Sequence, residues 1–193
     1  MGLLLRRAEP DDAEAIAALR VAGWRAAYRE LVPEPLLAAL DPVSEAARRR
    51  RTWGRRHSHP HDRELVAELD SVVVGWAVGG ASTDADREAS GQLHALYVLP
   101  SRWSSGIGHR LLLAVEDHLL ACRYAEAHLW VLDGNERAAR FYGRHGWYED
   151  GGTQLDRRGE HVLLERRRVR DLRCCGVPGR HTGASARLAP WRR

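Results

Sequence analysis

Two segments of the chain carry residue types whose spacing suits chemistry. In the first, Gln92–Leu112, a strand-like run ends at Pro100, and Gly106, Ile107 and Gly108 open a helical pattern. The N–H groups of a first helical turn have no partner within the helix, and the helix dipole favours an anion there. Glycines let that backbone approach a phosphate closely. The segment therefore suits a pyrophosphate, although a simple strand-to-helix turn would use the same glycines.

The second segment is Leu129–Trp147, in which a strand-like run ends at Asp133 and Gly134. Asn135 stands where it would cap the helix that follows. Tyr142 lies seven residues further on, two turns along the same helical face. The pattern fits either a reactive pair of side chains or an ordinary helix cap followed by a packed tyrosine.

These two segments resemble the GNAT superfamily of acyl-CoA-dependent N-acetyltransferases. In that family a strand ending in V-x-P leads into [Q/R]-x-x-G-x-[G/A], and a later strand leads into N-x-x-A-x-x-x-Y-x-x-x-G-[F/W]. The matching positions of this chain are Val98, Pro100, Trp103, Gly106, Gly108, Asn135, Ala138, Tyr142, Gly146 and Trp147. The order of the predicted elements also agrees with the family, so the resemblance covers residues 3–168. The two motifs occur in the right order and separation, which makes the match far more specific than either motif alone.

The resemblance implies an α/β (α+β) fold with a mixed, mostly antiparallel sheet of six to seven strands. Helices would flank this sheet, and strands 4 and 5 would splay apart to admit the arm of CoA. Hydrophobic periodicity along the chain agrees with this order of elements. After a first strand and helix, this periodicity predicts short helices at Pro35–Leu40 and Ser44–Trp53, strands at Glu64–Leu69 and Val72–Val78, and a polar linker at Gly79–Gly91. The second half of the domain is predicted to consist of a strand at Gln92–Leu99, a helix at Gly106–Arg123, a strand at Ala125–Leu132, a helix at Glu136–Arg144, and strands at Trp147–Glu149 and His161–Arg168.

The charge of the chain divides near residue 168. All 30 basic residues are arginine. Residues 166–193 hold nine arginines and one acid, whereas residues 1–165 hold 21 arginines and 25 acids. We therefore expect one acetyltransferase domain, 1–168, followed by a basic and poorly ordered tail, 169–193.

Carried over position by position, the resemblance implies that acetyl-CoA is the co-substrate. The backbone of Tyr97 and Val98 would pair with the pantetheine arm as an added strand. Asn135 would contact the arm near the thioester. The implied pyrophosphate loop consists of Trp103, Ser104, Ser105, Gly106, Ile107, Gly108 and His109.

The chain departs from the family pattern at three positions. Trp103 occupies the usual Gln/Arg position and Ser104 the usual first glycine, so the backbone amides would bind phosphate, with charge from Arg102 or Arg110. Trp130 stands five residues before the capping asparagine, where the ribosomal-protein N-terminal acetyltransferases carry a glutamate base. This difference argues against that branch.

Acetyl transfer to an amine needs a base, donors that polarise the carbonyl, and a proton for the leaving thiolate. The resemblance implies that Tyr142 is the general acid. His94 is the first candidate base because its pKa lies near neutrality, although a packed or solvated strand histidine would look the same. Glu149, His145 and a water chain are weaker candidates. Neither segment contains a cysteine, so direct attack is preferred, and Cys122 is expected in the core.

The acceptor would bind against the N-terminal helices, where Trp24 and Tyr28 are candidate walls. The alternative is an aromatic pair that packs against the sheet. His57, His59 and His61 alternate as metal ligands can, but they lack a carboxylate or cysteine partner, so no metal is predicted.

The sequence thus predicts an N-acetyltransferase that moves an acetyl group from acetyl-CoA to a primary amine of a small molecule or peptide. The alternative is a non-catalytic acyl-CoA-binding regulatory module of the same fold. No specific nucleic-acid binding is expected, since the body lacks a basic face, and no apolar run reaches the ~20 residues of a membrane span. Three cysteines favour the cytoplasm. The sequence is compatible with a homodimer. The use of arginine without any lysine suggests a bacterial genome rich in GC.

Overall fold

The computed structural model describes residues 2–57 and 59–173. The strands in these ranges are β1 (Leu4–Arg7), β2 (Arg63–Leu69), β3 (Val72–Ala81), β4 (Gly91–Val98), β5 (Glu126–Leu132), β6 (Tyr148–Arg158) and β7 (His161–Asp171). The α-helices are α1 (Ala13–Ala27), α2 (Glu34–Ala38), α3 (Pro42–Arg56), α4 (Ile107–Ala121) and α5 (Glu136–Arg144). Among the described helices, none combines the length and apolar content that a membrane crossing requires.

The strands form one seven-stranded sheet in the order β1-β2-β3-β4-β5-β7-β6. Neighbouring strands are antiparallel except β4 and β5, which are parallel. Among the described residues these two strands pair at Gly91 with Ala127 and at Gln92 with His128, and beyond those pairs they separate. The mixed, mostly antiparallel sheet with a splayed fourth and fifth strand is therefore confirmed.

One face of the sheet is covered by α4 and α5. Apolar residues of α4 recur at helical spacing and are fully buried against the sheet. They are Leu111, Leu112, Val115 and Leu119. We call this side of the sheet the α4 face.

The opposite side, the α1 face, is covered by α1 and α3. Ile16 and Leu19 of α1 pack against Val66 and Trp76 of the sheet. Helices on both faces give three layers, which is the usual way for a sheet to bury two apolar surfaces.

Several boundaries differ from the sequence prediction by one to three residues, and three differences affect the sheet and the domain boundary. Strand β6 extends to Arg158 instead of ending at Glu149, because residues 153–158 pair with β7 although none of them is buried. Strand β3 runs through Gly79–Ala81, which had been predicted as linker. Strand β7 ends at Asp171, three residues beyond the predicted domain boundary, and residues 174–193 of the predicted tail lie outside the described residues.

The sequence predicts Cys122 in the core, and the structure shows that this prediction is wrong. Cys122 follows the last residue of α4 and is half-buried, with its Sγ 3.6 Å from Nε2 of His118. The position at the end of the helix places the side chain beyond the buried face.

Candidate active site

A cavity of about 530 Å³ opens where β4 and β5 separate. Its lining includes Leu96 and Val131, which pack toward α4. It also includes Tyr97, the residue after Leu96 on β4, and Trp130, the residue before Val131 on β5. Successive residues of a strand point to opposite faces. The cavity therefore extends through the gap in the sheet from the α4 face to the α1 face, and we call its two ends its mouths.

The mouth on the α4 face is formed by the loop before α4 and by α5. Four arginines line it: Arg102, Arg137, Arg140 and Arg144. Arg110, the other arginine considered from sequence, instead donates from Nη2 to the carbonyl of Leu3 at 3.2 Å. The concentration of guanidinium groups makes this mouth suitable for phosphate.

The predicted pyrophosphate loop lies in this mouth. Gly106 adopts a left-handed conformation, with φ of 83°, immediately before α4, and a Cβ added to it would meet no atom within 4 Å. Glycine is thus required there by the backbone conformation and not by packing, and the space above it is open to a ligand.

The side chains of that loop divide into two groups. The cavity is lined by Trp103, Ser104, Gly106, Gly108 and His109. Ile107 is instead buried in the core, and the Ser105 hydroxyl donates to the carbonyl of Arg102 at 2.6 Å.

Trp103 turns back onto the strand that precedes it. Its indole Nε1 donates to the carbonyl of Val98 at 2.9 Å, and the guanidinium of Arg137 lies 4.2 Å from its ring centre. Val98 therefore already has one hydrogen bond at the strand edge that was predicted to pair with the pantetheine arm.

Tyr142 lies on α5 and lines the cavity, although only 8% of it is exposed. Burial raises the pKa of its hydroxyl well above the usual value, so the phenol is protonated throughout the physiological range. Asn135 also lines the cavity and caps α5, with its side-chain oxygen accepting from the N–H of Ala138 at 3.1 Å. The amide nitrogen of Asn135 is the part of this side chain that can donate to a ligand.

His94 lies at a β-bulge of β4. Val78 faces Ala95 while the next residue, Gly79, faces Leu93, so His94 is an extra residue in the ladder. The bulge places the imidazole at the wall of the cavity, with Nε2 3.1 Å from the carbonyl of Ala81. Desolvation of its ring by the surrounding protein lowers the pKa, so the histidine is neutral near pH 7 and Nδ1 is left as the basic nitrogen.

Of the two predicted acceptor walls, Tyr28 lines the cavity and Trp24 packs behind it. The Trp24 indole donates to the hydroxyl of Tyr97 at 2.8 Å and meets the ring of Tyr28 edge-on at 4.8 Å. Tyr28 therefore stays a candidate wall for the acceptor, whereas Trp24 packs as the alternative described.

Glu165 is a residue of the α1 face that sequence reasoning missed. It stands opposite Leu132 across the β5–β7 ladder, and Gln154 donates to its carboxylate at 2.6 Å. Burial raises the pKa of this carboxyl, and its charge acts on Tyr28. No sequence signal marked it, because a glutamate in an arginine-rich strand resembles a surface residue.

Trp130 forms the α1-face wall opposite β4, and polar groups hold it in place. Its indole donates to Asp84 at 2.8 Å, and the same carboxylate oxygen lies 2.9 Å from Nε2 of the fully buried His128. Arg167 stacks on the ring of Trp130 at 5.5 Å. Burial lowers the pKa of His128.

The weaker base candidates lie elsewhere. Glu149 is exposed on β6, where it accepts from Arg168 at 2.6 Å. His145 lines the mouth on the α4 face, with Nε2 2.8 Å from Nδ1 of His109. Neither residue lies on the α1 face of the cavity.

The alternating histidines point to different partners. Nε2 of His57 lies 2.9 Å from Glu64, the ring of His59 accepts from the N–H of His61, and Nδ1 of His61 lies 2.8 Å from the hydroxyl of Tyr124. Within residues 2–57 and 59–173, no group of three His, Cys, Asp or Glu side chains is arranged to hold a metal ion.

Solved structures share the fold. The PaiA N-acetyltransferase of Thermoplasma acidophilum in complex with coenzyme A superposes with a TM-score of 0.67 at 20% identity, covering 86% of this chain and 98% of that one. YncA of Salmonella typhimurium, solved with its cofactor acetyl-CoA, superposes with a TM-score of 0.64 at 16% identity and 98% coverage of both chains.

Sequence comparison places the chain among acetyltransferases. An uncharacterized N-acetyltransferase of Archaeoglobus fulgidus is 34% identical over 87 residues, which cover 44% of this chain and 59% of that protein. Mycothiol acetyltransferase of Acidimicrobium ferrooxidans is 35% identical over 86 residues, 45% of this chain and 28% of that protein. These matches span less than two thirds of either relative. The sequence model of the acetyltransferase (GNAT) family matches residues 24–147. Since that range is well over half of the chain, the protein belongs to the acetyltransferase (GNAT) family.

Proposed function

We propose that the protein transfers an acetyl group from acetyl-CoA to a primary amine of a small molecule or peptide by direct attack. One observation carries the proposal: a single cavity passes through the sheet and joins an arginine-lined mouth to Tyr142 and to the α1 face. Two substrates can then meet inside the sheet while each approaches from its own side.

The arginine-lined mouth suits acetyl-CoA. The phosphates would lie against the N-terminus of α4 above Gly106, where backbone N–H groups and guanidinium groups are both available. The pantetheine arm would enter the gap between β4 and β5, beside Tyr97 and Asn135. When bound, acetyl-CoA supplies the activated thioester.

Tyr142 would donate a hydrogen bond to the leaving sulfur. Because the phenol is protonated at neutral pH, it stabilises the thiolate as the C–S bond breaks. His94 would accept the proton that the amine loses when its nitrogen bonds to the carbonyl carbon. The lowered pKa of its imidazole provides the neutral form that a base requires.

The acceptor would enter from the α1 face. Tyr28 and Trp130 provide aromatic walls there. The Glu165 carboxyl group lies outside the cavity lining but close enough to Tyr28 to interact with it electrostatically. An anionic carboxylate attracts a protonated amine, and aromatic faces also favour cations. These groups support an acceptor that arrives as a cationic amine and releases one proton to solvent before its neutral nitrogen attacks the thioester.

A non-catalytic acyl-CoA-binding module is the alternative. It would need the phosphate mouth but neither Tyr142 nor the mouth on the α1 face. The presence of both in one cavity favours the enzyme.

Calorimetric titration with acetyl-CoA tests the binding half of the proposal, and an amine-library screen for released thiol tests the reaction. We expect micromolar binding and thiol release that depends on both substrates. Absence of binding would contradict the proposal, and binding without thiol release for any amine class would favour the regulatory module.

A further inference from the structure

Position 103 lacks the polar side chain that the family motif carries there, and the structure shows a substitute. Trp103 uses its only donor on the carbonyl of Val98, 2.9 Å away, so its side chain has none left for a phosphate. A cation for the loop must therefore come from another residue that lines this mouth.

Arg137, in the first turn of α5, reaches the loop from the opposite side of the mouth. Its guanidinium stacks on the Trp103 ring at 4.2 Å, and Nη2 lies 3.4 Å from the hydroxyl of Ser104. Both Trp103 and Ser104 line the cavity beside Gly106. Arg137 thus connects α5 with two of the three positions at which the chain departs from the family pattern, Trp103 and Ser104.

The surroundings of Arg137 leave its charge available to a ligand. The neighbouring Arg140 pairs with Glu136 at 3.6 Å, whereas Arg137 has no ion-pair partner in the part of the chain that the structure describes. A guanidinium stacked on an indole is held in a fixed plane, while the N–H groups at its edge still point outward. This arrangement suits two oxygens of a phosphate.

We propose that Arg137, oriented by Trp103, binds the pyrophosphate of the acyl-CoA substrate and replaces the side chain that position 103 lacks. The inference rests on the proposed function, since it concerns the same co-substrate. It assigns the pyrophosphate, and not the 3′-phosphate, because Arg137 contacts the residues that precede Gly106.

The test compares Arg137→Ala with Arg110→Ala by calorimetry, using CoA, 3′-dephospho-CoA and S-acetylpantetheine. Both variants lose one arginine close to the start of α4, but Arg110 is directed away toward Leu3. We expect Arg137→Ala to weaken CoA and 3′-dephospho-CoA equally, by about ten- to fiftyfold, as for a lost charge-assisted hydrogen bond. Binding of S-acetylpantetheine should stay unchanged, and Arg110→Ala should stay within about twofold of the parent for every ligand.

Orientation by the indole is tested separately. Trp103→Ala should weaken CoA binding, and combining it with Arg137→Ala should add little, because the two side chains act as one unit. Trp103→Phe should retain most of the affinity, since the stacking face remains.

Three results would overturn the inference. Equal affinities of Arg137→Ala and Arg110→Ala would remove Arg137 from the site. A loss seen with CoA but not with 3′-dephospho-CoA would assign Arg137 to the 3′-phosphate. Failure of the unaltered protein to bind CoA would contradict the proposed function itself, and the inference would fall with it.

Discussion

The surroundings of individual side chains determine which of them can take part in acetyl transfer. Tyr142 is buried and stays protonated, so it can donate. The pKa of the His94 imidazole is lowered, so the ring is neutral near pH 7 and can accept a proton. Catalytic sites commonly contain two titratable groups whose pKa values are shifted so that one keeps a proton to donate and the other is free to accept one. The sequence motif predicts Tyr142 as a site residue. The bulge that brings His94 to the cavity depends on the pairing of β4 with β3, so no local sequence pattern predicts it.

Replacing Tyr142 with phenylalanine should lower kcat about ten- to a hundredfold and leave acetyl-CoA affinity within a few-fold. Only one oxygen is removed, and the ring still packs between Phe141 and Trp147. Steady-state thiol release with calorimetry separates the two effects. Tyr148→Phe, at an exposed tyrosine, is the matched control and should change neither. An unchanged kcat in Tyr142→Phe would exclude the donor role.

Replacing His94 with glutamine should lower kcat/KM about a hundredfold at neutral pH. In the unaltered protein, kcat/KM should rise with pH through a value below 6.5, since the lowered pKa of His94 favours the neutral form. The variant should lose that acidic limb. Rates measured from about pH 5 to pH 8 test this. Glu149→Gln should keep the limb; if His94→Gln keeps it as well, a water chain is the better base.

The loop before α4 and the N-terminus of α5 converge from two parts of the chain to form the phosphate mouth. Helix α5 was predicted at its observed bounds, because its Asn135 cap and its periodicity are local signals. The contact between Trp103 and Arg137 joins residues 34 positions apart, so no local pattern predicts it. Likewise, Gly79 resembles a linker residue in the sequence but lies in β3. Glycine is needed there because a Cβ would collide with Val115 of α4, and only the crossing of α4 over β3 creates that need.

Gly106→Ala should weaken acetyl-CoA binding at least tenfold, because its methyl group would occupy the space that the phosphate needs. The added Cβ meets no protein atom, so the cost to folding should be the ~1–2 kcal/mol of a left-handed alanine. Gly151→Ala is a matched control with φ of 86° and equally open surroundings in β6. It should show a similar loss of stability with normal affinity. Equal affinities of the two variants would contradict the loop assignment.

At the scale of the whole molecule, the sheet determines where every part of the site lies. Order and type of the elements could be predicted because amphipathic α4 and the apolar strands carry clear periods. The full length of β6 could not be predicted, since residues 153–158 are polar apart from the exposed Leu155 and form a strand only through pairing with β7. For the same reason Glu165 and Gln154 were not recognised as part of the α1 face.

A buried ion pair holds α3 to this sheet. Arg49 donates to Glu64 at 2.5 Å, and the Trp76 indole donates to the same carboxylate at 2.6 Å. Arg49→Ala should lower the free energy of unfolding by about 3–5 kcal/mol, because Glu64 would remain buried with only the Trp76 indole and the His57 ring as partners. Urea denaturation measures this. Arg50→Ala breaks an exposed pair with Glu14 and should cost less than about 1 kcal/mol. Similar losses in the two variants would show that the pair stabilises little.

The passage through the sheet also has a kinetic consequence. Under the proposed function, donor and acceptor use mouths on opposite faces, so neither has to leave before the other arrives. Turnover would then proceed through a ternary complex, with intersecting double-reciprocal plots and no acetylated enzyme to isolate. Released CoA would compete with acetyl-CoA for one entrance and leave the amine's entrance open, so the two products would inhibit in different patterns.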